Sequence, residues 1–522
     1  MGKRSTVTAL PAARALDADM DRFRLRRFVD ELAATGELET HGGAVDLADV
    51  AAHLDENPRA VYFRAVGPER AELVGNVAGS RARLARAFDT TPEGLLAEVL
   101  RRLKTAPRFV ELDRATAPVQ QVVLEGAAAD LTALPVHLQH GLDGAPYISS
   151  AVDIVRDAAT GLTNVGMRRM MLRGPHEAGI DLLSPSDLKA IYEASVRRGE
   201  TLPIAFVIGS HPVDHIAATM RIPVDEVGLI GSLRDAPLPL VKCVTNDLRV
   251  PADAEFVLEG YLDARGHVES EGPYGEFLGY YGAVKRNPVF HLTAITRRRD
   301  ALFQTSTIAG RMMSMTDSAQ LVALRTEVTV WRALETAVRE TVGVHVTTAN
   351  GGMFNVRVAL RQRVPGEARN AIAATFGCLA NIKHVFVVDP DIDIFSHEQM
   401  DWALATRFQA DRDLVVEGGF RALPLDPSLD GRRIGSKAGF DLTLPFGRSD
   451  SIEAQIPKPP RYEGRRFASI EAALADGPKT FEALMAATGS RDGREIVRLL
   501  DALRRAGRLG REEDGRWRME KA

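Results

Sequence analysis

Residues 269–281 read Glu-Ser-Glu-Gly-Pro-Tyr-Gly-Glu-Phe-Leu-Gly-Tyr-Tyr, placing three carboxylates, three glycines and a proline between two apolar, strand-like runs. Glu271 and Glu276 are separated by Gly272, Pro273 and Gly275. These residue types let a backbone fold back and bring both carboxyl groups toward one cavity. Two carboxyls held in one cavity can differ in proton affinity, one staying ionised while the other keeps a proton to donate. The same composition also suits a hairpin with charged flanks, so this segment alone leaves catalysis and a plain turn both open.

A second candidate lies upstream. Thr163-Asn164-Val165-Gly166-Met167-Arg168-Arg169-Met170 alternates small or apolar residues with polar ones, as a barrel strand does when its inner face meets a ligand. Arg168 and Arg169 then point to opposite faces. An arginine in a pocket suits a carboxylate substrate, because its planar donors make two parallel bonds while the group stays charged. On an isolated strand both arginines read more readily as surface residues.

These groups need elements to hold them. Phe23, Leu25, Phe28 and Leu32 recur at helical spacing and predict a helix over residues 17–35, with a second helical stretch at 45–54. Residues 61–66 and 72–77 read as strands and 80–88 and 92–103 as helices, an alternating α/β opening domain over 1–120. Short β-branched runs follow at 120–124, 148–155, 162–172, 202–208, 238–241, 255–261 and 289–296. That texture predicts a β-barrel or sandwich with helical insertions, one of them at 184–197 opening on the capping sequence Ser-Pro-Ser-Asp. From about residue 314 a long helix leads into a second α/β unit with a buried strand at 385–388 and a helix at 398–406. The run Ile456-Pro457-Lys458-Pro459-Pro460 reads as a linker. Beyond it, helices at 467–474, 480–487 and 494–506 and a hairpin at 508–519 around Asp514-Gly515 resemble a winged-helix module, whose arginines suit a solvated face and protein contact or dimerisation better than DNA.

Composition bounds the function. At 522 residues the chain needs several cores, and it has no apolar run near the roughly 20 residues of a membrane helix. The first dozen residues, MGKRSTVTALPA, lack a continuous apolar core and read as a loose start, so a cytoplasmic protein without membrane attachment is expected. Cys243 and Cys378 are too few for a disulfide framework or a zinc knuckle. A formal net charge of -4 argues against sequence-independent nucleic-acid binding, which points to a small ligand.

Taken together, the segments resemble the UbiD family of reversible decarboxylases, which use prenylated FMN. The resemblance spans about residues 20–450 and lies in the joint order of its pieces: Asp143-Gly144-Ala145-Pro146-Tyr147-Ile148, Asn164-Val165-Gly166-Met167 with Arg169, and Val241-Lys242-Cys243 with Thr245-Asn246-Asp247-Leu248 and Val250-Pro251-Ala252. These are followed by Glu271-Gly272-Pro273-Tyr274-Gly275-Glu276, Trp402-Ala403 with Thr406-Arg407, and Gly435-Ser436-Lys437. The resemblance implies an N-terminal α/β domain at 1–120, a split β-barrel flavin-binding domain at 121–313 and a C-terminal α/β oligomerisation domain at 314–455, with the winged-helix-like tail at 461–522 as an addition.

The resemblance implies Arg169, Glu271 and Glu276 as the catalytic trio, with Glu276 the acid that protonates carbon after carbon dioxide leaves. It implies cofactor contacts at Met167, Arg168, Arg169, Ser186, Met220 and Lys383, the last approaching the phosphate. It also implies a divalent metal, manganese or magnesium, bridging that phosphate through Asn164 and Glu226, with potassium nearby; oxygen donors of this kind suit such an ion. One departure is plain. Where many members carry a histidine ligand, this chain reads Ser184-Pro185-Ser186-Asp187, which leaves Ser186, water or His176 as the third donor.

Phe277, Leu278, Ile308, Met312 and Met313, with Thr305 and Thr307, are candidate cavity residues. Their apolar character favours an aromatic, heteroaromatic or α,β-unsaturated acid. Implied partners are a flavin prenyltransferase as cofactor source and a second copy in a homodimer or higher oligomer. Carboxylase action, a role as subunit of a larger complex and, more distantly, a small-acid-sensing DNA-binding regulator are the alternatives. The exact substrate and the direction of reaction stay open.

Overall fold

The computed structural model describes residues 18–448 and 451–520, so the expected loose start at 1–12 lies outside the described residues. At the centre six antiparallel strands close on themselves. Phe256–Leu262 pairs on one edge with Leu202–Ile208 and on the other with Val289–Arg297. The circuit between those two partners runs through Tyr147–Arg156, Thr163–Leu172 and Glu177–Ile180. Val122–Glu125 adds a further strand beside Val289–Arg297.

Period-2 alternation builds this barrel. Ile204, Phe206 and Ile208 join one apolar cluster with Ile148, Met170 and Phe290, while the intervening Ala205 and Val207 join another. With both faces of the strand buried, the sequence there reads as a continuous apolar run. The second cluster includes residues of two helices, Pro212–Thr219 and Glu226–Arg234, in which almost every side chain is buried. A helix buried on all sides shows no clear amphipathic stripe, and neither was expected from the sequence.

Most of the expected strands are present within one or two residues, with two corrections. The run at 238–241 is a strand, Leu238–Lys242, yet it lies outside the barrel, between Phe109–Leu112 and Arg249–Pro251. The short Glu177–Ile180 strand, which no β-branched run announced, completes the circuit.

Upstream, the helix Leu25–Ala34 buries Leu25, Phe28, Val29 and Leu32. A four-stranded sheet follows in the order Leu38–Val45, Ala60–Val66, Ala71–Gly75, Phe303–Gln304. Its last strand comes from the chain leaving the barrel, so the two regions share one hydrogen-bonded framework. Downstream, the helix Asp317–Ala337 leads into a five-stranded sheet ordered Thr341–Val346, Asn355–Leu360, His384–Val388, Ile434–Asp441, Leu414–Arg421, with helices Glu367–Cys378 and His397–Arg407. A second compact unit starts at Thr443 and holds the helices Ile470–Ala475, Phe481–Thr488 and Gly493–Arg505 and the hairpin of Leu509–Arg511 with Trp517–Met519. Its own core gathers Ile470, Leu474, Leu484, Ile496, Leu500 and Leu503. Among the described residues no helix is long and apolar enough to cross a membrane.

Candidate active site

The glycine-rich segment is a nested pair of short ladders. Glu269–Glu271 pairs with Lys285–Asn287, and inside it Tyr274–Gly275 pairs with Tyr281–Gly282. The hairpin reading and the catalytic reading are therefore compatible, because the hairpin is the device that presents the acids. Asp143 braces it from the preceding loop, where one carboxylate oxygen accepts the Gly275 N–H at 2.8 Å and the other takes the His140 N–H and Nδ1 at 3.0 Å. Gly144 donates to the Pro273 carbonyl at 2.8 Å. Two of these glycines are required by contact: a Cβ on Gly144 would sit 2.3 Å from the Gly272 carbonyl oxygen, and one on Gly275 2.5 Å from the His140 ring. Both distances are far inside van der Waals contact.

Arg169 projects from the barrel strand Thr163–Leu172 into this hairpin. Its Nε and Nη2 donate to the two oxygens of Glu271 at 3.0 and 3.4 Å, and its Nη1 donates to Glu276 Oε2 at 3.1 Å. Glu271 is 0% exposed and Glu276 3%, so both carboxylates depend on these partners. The guanidinium lies 4.6 Å from the centre of the Tyr274 ring. Tyr274 in turn donates its hydroxyl to Gln139 and packs against Tyr147, with ring centres 4.3 Å apart. Burial opposes charge on Arg169, but Glu276, Asp181 and Glu271 outweigh it and hold the guanidinium well above its ordinary value. Burial, reinforced by Glu271, pushes the Tyr147 phenol up.

The structure thus brings together the three catalytic candidates and adds residues that the sequence reading missed. Asp181 Oδ2 lies 2.8 Å from Arg169 Nη2. Lys285 Nζ lies 3.3 Å from Glu276 Oε1 and 3.4 Å from Asp181 Oδ2. Asn287 donates to Glu271 Oε2 at 3.2 Å. Strand alternation was the available signal, since it sets Lys285 and Asn287 on one face of their strand and Arg286 on the other, where Arg286 bonds the Val268 carbonyl.

The remaining candidates lie beyond this cluster. Met220 is buried, and the half-buried Met167 packs against the same core. Arg168 donates to the Met167 carbonyl and lies 3.7 Å from Asp153. Arg325 is 7% exposed with no hydrogen-bond partner on its Nε, and burial beside Arg221 pushes its guanidinium down to about 10. Arg221 itself is pushed down by burial and by Arg168, with Arg421 contributing. One buried guanidinium, Arg325, under the electrostatic influence of the more exposed Arg221 makes a cationic region of the kind that suits a phosphate group. Lys383 is engaged elsewhere, with Asp426 Oδ2 and Ser428 Oγ each at 2.8 Å, on the wall of a cavity of about 350 Å³.

The metal positions fit less well. The Asn164 amide and the Val165 N–H both donate to Glu226 Oε2 at 2.6 Å. Burial, with Asp187 and Asp153 adding to it, pushes the Glu226 carboxyl up to about 7. Ser186 Oγ is used as a helix cap, accepting the Lys189 N–H at 3.2 Å, and His176 offers its carbonyl to Leu292. Among the described residues no group of three or more His, Cys, Asp or Glu side chains is gathered to hold a metal. Asn164 and Glu226 are bonded to each other and Ser186 is engaged as a cap, so no chemical step below runs through a metal.

This geometry can be set against known proteins. The N-terminal, Rift-related and C-terminal domains of 3-octaprenyl-4-hydroxybenzoate carboxy-lyase match residues 29–103, 110–312 and 319–442. The chain belongs to the UbiD family. Its UbiD relatives include the anhydromevalonate phosphate decarboxylase of Methanosarcina mazei, 29% identical over 81% of this chain and 97% of that protein. The structure of the UbiD-class enzyme HmfF from Pelotomaculum thermopropionicum in complex with FMN superposes with a TM-score of 0.77 at 32% identity, covering 83% of this chain and 97% of that one. An evolved dimeric form of HmfF, in complex with prFMN, gives 0.75 at 30% identity over 84% and 97%. The protein is accordingly a UbiD-family carboxy-lyase with the family's barrel between two α/β regions.

Proposed function

We propose that the protein is a prenylated-FMN-dependent decarboxylase of an aromatic, heteroaromatic or α,β-unsaturated carboxylic acid, with Glu276 as the proton donor. The observation that carries this reading is the Arg169 guanidinium shared between two buried carboxylates, Glu271 and Glu276, beneath the Tyr274 ring. HmfF, in complex with FMN and in another form with prFMN, supports the choice of cofactor. Losing carbon dioxide from such an acid leaves an electron pair that no side chain can absorb, and the modified flavin, when bound, supplies that electron sink.

The chain's own residues do the rest. Arg169 is placed to meet a substrate carboxylate while still bonded to Glu271, so it orients the acid for cleavage. Asn287 and Arg169 together fix Glu271, which keeps the guanidinium plane from turning. Glu276 sits at the turn of the inner ladder, its N–H bonded to the Tyr280 carbonyl at 2.9 Å, which fixes the backbone from which the side chain reaches Arg169. Gly282 makes room for that side chain, since a Cβ there would lie 2.6 Å from Glu276 Oε1. A protonated Glu276 delivers its proton to the carbon that lost carbon dioxide and is recharged from water before the next turnover.

The apolar positions Phe277, Leu278, Met312 and Met313 favour a flat acid, with Met313 buried and Met312 41% exposed at the surface. Thr305 and Thr307 are tied into the framework instead, Thr305 to Ser149 and Thr307 to Asp317. The test is to produce the protein together with a flavin prenyltransferase, identify the released ligand by mass and absorption, and follow carbon dioxide release from a panel of acids. Glu276→Gln is expected to retain the flavin and to abolish both product formation and solvent deuterium entry into product. Normal turnover in that variant overturns the role of Glu276, and a folded protein without flavin overturns the cofactor.

A further inference from the structure

Glu276 has two oxygens, and Arg169 accounts for only one. The other, Oε1, faces Lys285 Nζ at 3.3 Å, and the same ammonium reaches Asp181 Oδ2 at 3.4 Å. Asp181 Oδ2 returns to Arg169 Nη2 at 2.8 Å, and Arg169 Nη1 to Glu276 Oε2 at 3.1 Å. Four side chains therefore form a closed ring in which cation and anion alternate, with Glu271 held outside it by Arg169 and Asn287.

The ring draws on three separate pieces of chain. Arg169 comes from a barrel strand, Asp181 follows the strand Glu177–Ile180, and Lys285 comes from the outer ladder of the hairpin, directly across from Glu271. Lys285 is no incidental surface group: its side chain is 21% exposed, while the neighbouring Arg286 turns away to the Val268 carbonyl. Other polar groups around this hairpin include Asp143 and His140, bonded to each other, Gln139, Arg173 and the Tyr147, Tyr274 and Tyr281 hydroxyls. None of these is bonded to Glu276 Oε1.

We propose that Lys285 is a positioning residue for Glu276, clamping Oε1 and tying it through Asp181 to the opposite side of the site, so that the acid returns to one fixed orientation between proton deliveries. The proposal rests on the reading of Glu276 as proton donor. Arg169 must also serve the incoming substrate carboxylate, and a guanidinium drawn toward substrate loosens its hold on Oε2. A second cation on the other oxygen keeps the side chain from drifting while that exchange takes place. Asp181 supports the arrangement: burial opposes its ionisation, yet Arg169 and Lys285 hold its carboxyl below the usual range, so it stays an anion for Lys285 to bridge to.

The test compares Lys285→Met and Lys285→Arg in the flavin-loaded protein with the Glu276→Gln variant alongside. Lys285→Met is expected to lower kcat at least tenfold, to leave KM and flavin content within twofold, and to enlarge the solvent deuterium isotope effect, because proton delivery becomes slower than the bond-breaking step. Lys285→Arg is expected to restore most of kcat. Asp181→Asn, which loosens the far end of the clamp, is expected to shift the same quantities in the same direction by less, and it supplies the reading if Lys285→Met does not fold. An unchanged kcat in the folded lysine and aspartate variants overturns the proposal, as does a raised KM at constant kcat, which would make Lys285 a substrate-binding group. Full activity of Glu276→Gln would instead overturn the proton-donor reading on which it rests.

Discussion

Arg169 is fixed by geometry as much as by charge. Its three side-chain nitrogens serve three carboxylates at once, Glu271, Glu276 and Asp181, a fork that a lysine cannot reproduce. Arg169→Lys is therefore expected to leave a buried carboxylate short of a donor, with a cost of about 3 kcal/mol at the site and a roughly hundredfold fall in kcat/KM, measured by steady-state carbon dioxide release. A second residue-scale prediction concerns acid stability. Burial pushes His215 down to about 4, so the folded protein keeps it neutral. Below pH 6.5 the unfolded chain takes up a proton that the folded chain refuses, and stability falls by about 1.4 kcal/mol per pH unit until the folded value is reached. His215→Gln should flatten that slope between pH 6.5 and about 4 in denaturant titrations, and an unchanged slope would mean that the imidazole is protonated in the fold.

At the level of elements, the hairpin of residues 269–287 depends on close backbone approach. Gly144→Ala places a methyl against the Gly272 carbonyl, which is backbone and cannot swing away. This substitution should lower stability by roughly 1–3 kcal/mol and activity by more, since the displaced strand carries Glu271. Thermal unfolding and kcat measured together check it, and wild-type values for both would show that the contact is soft. The acids and Arg169 were legible in the sequence because their neighbours are distinctive: glycine and proline around Glu271 and Glu276, and an alternating strand around Arg169. Asp181, Lys285 and Asn287 were not, because each sits among ordinary residues; Lys285 and Asn287 gain meaning from strand register, and Asp181 from its place just after a barrel strand. The barrel strands showed through their β-branched runs, whereas Pro212–Thr219 and Glu226–Arg234 stayed hidden because burial on every side erases helical periodicity.

For the whole molecule, the family match ends at residue 442 and a compact unit with its own core begins at Thr443. Separate cores unfold separately, and a core of this size is marginal alone. Calorimetry of the full chain should show a small transition besides the main one, and a chain ending at Leu442 should lack it; a single transition shared by both would mean that the two cores unfold as one. Many arginines of this unit are already paired within it, Arg494 with Asp492, Arg504 and Arg505 with Asp501, and Arg516 with Asp514. This pairing lowers the cationic charge offered to phosphate, so retention on DNA should be weak at physiological salt.

The barrel strands on either side of the acidic hairpin, Phe256–Leu262 and Val289–Arg297, are paired with each other at its base, where Leu262 sits opposite Phe290. Everything from Asp263 to Pro288 thus leaves and re-enters the wall at one point, like a cassette clipped into a fixed socket. Such a segment can lengthen, shorten or be exchanged between relatives without unzipping the wall. Yet the arginine that it must meet stays behind in the socket. Inheritance of this chemistry is therefore split in two, and a graft that carries its own glutamates still has to match an Arg169 it did not bring.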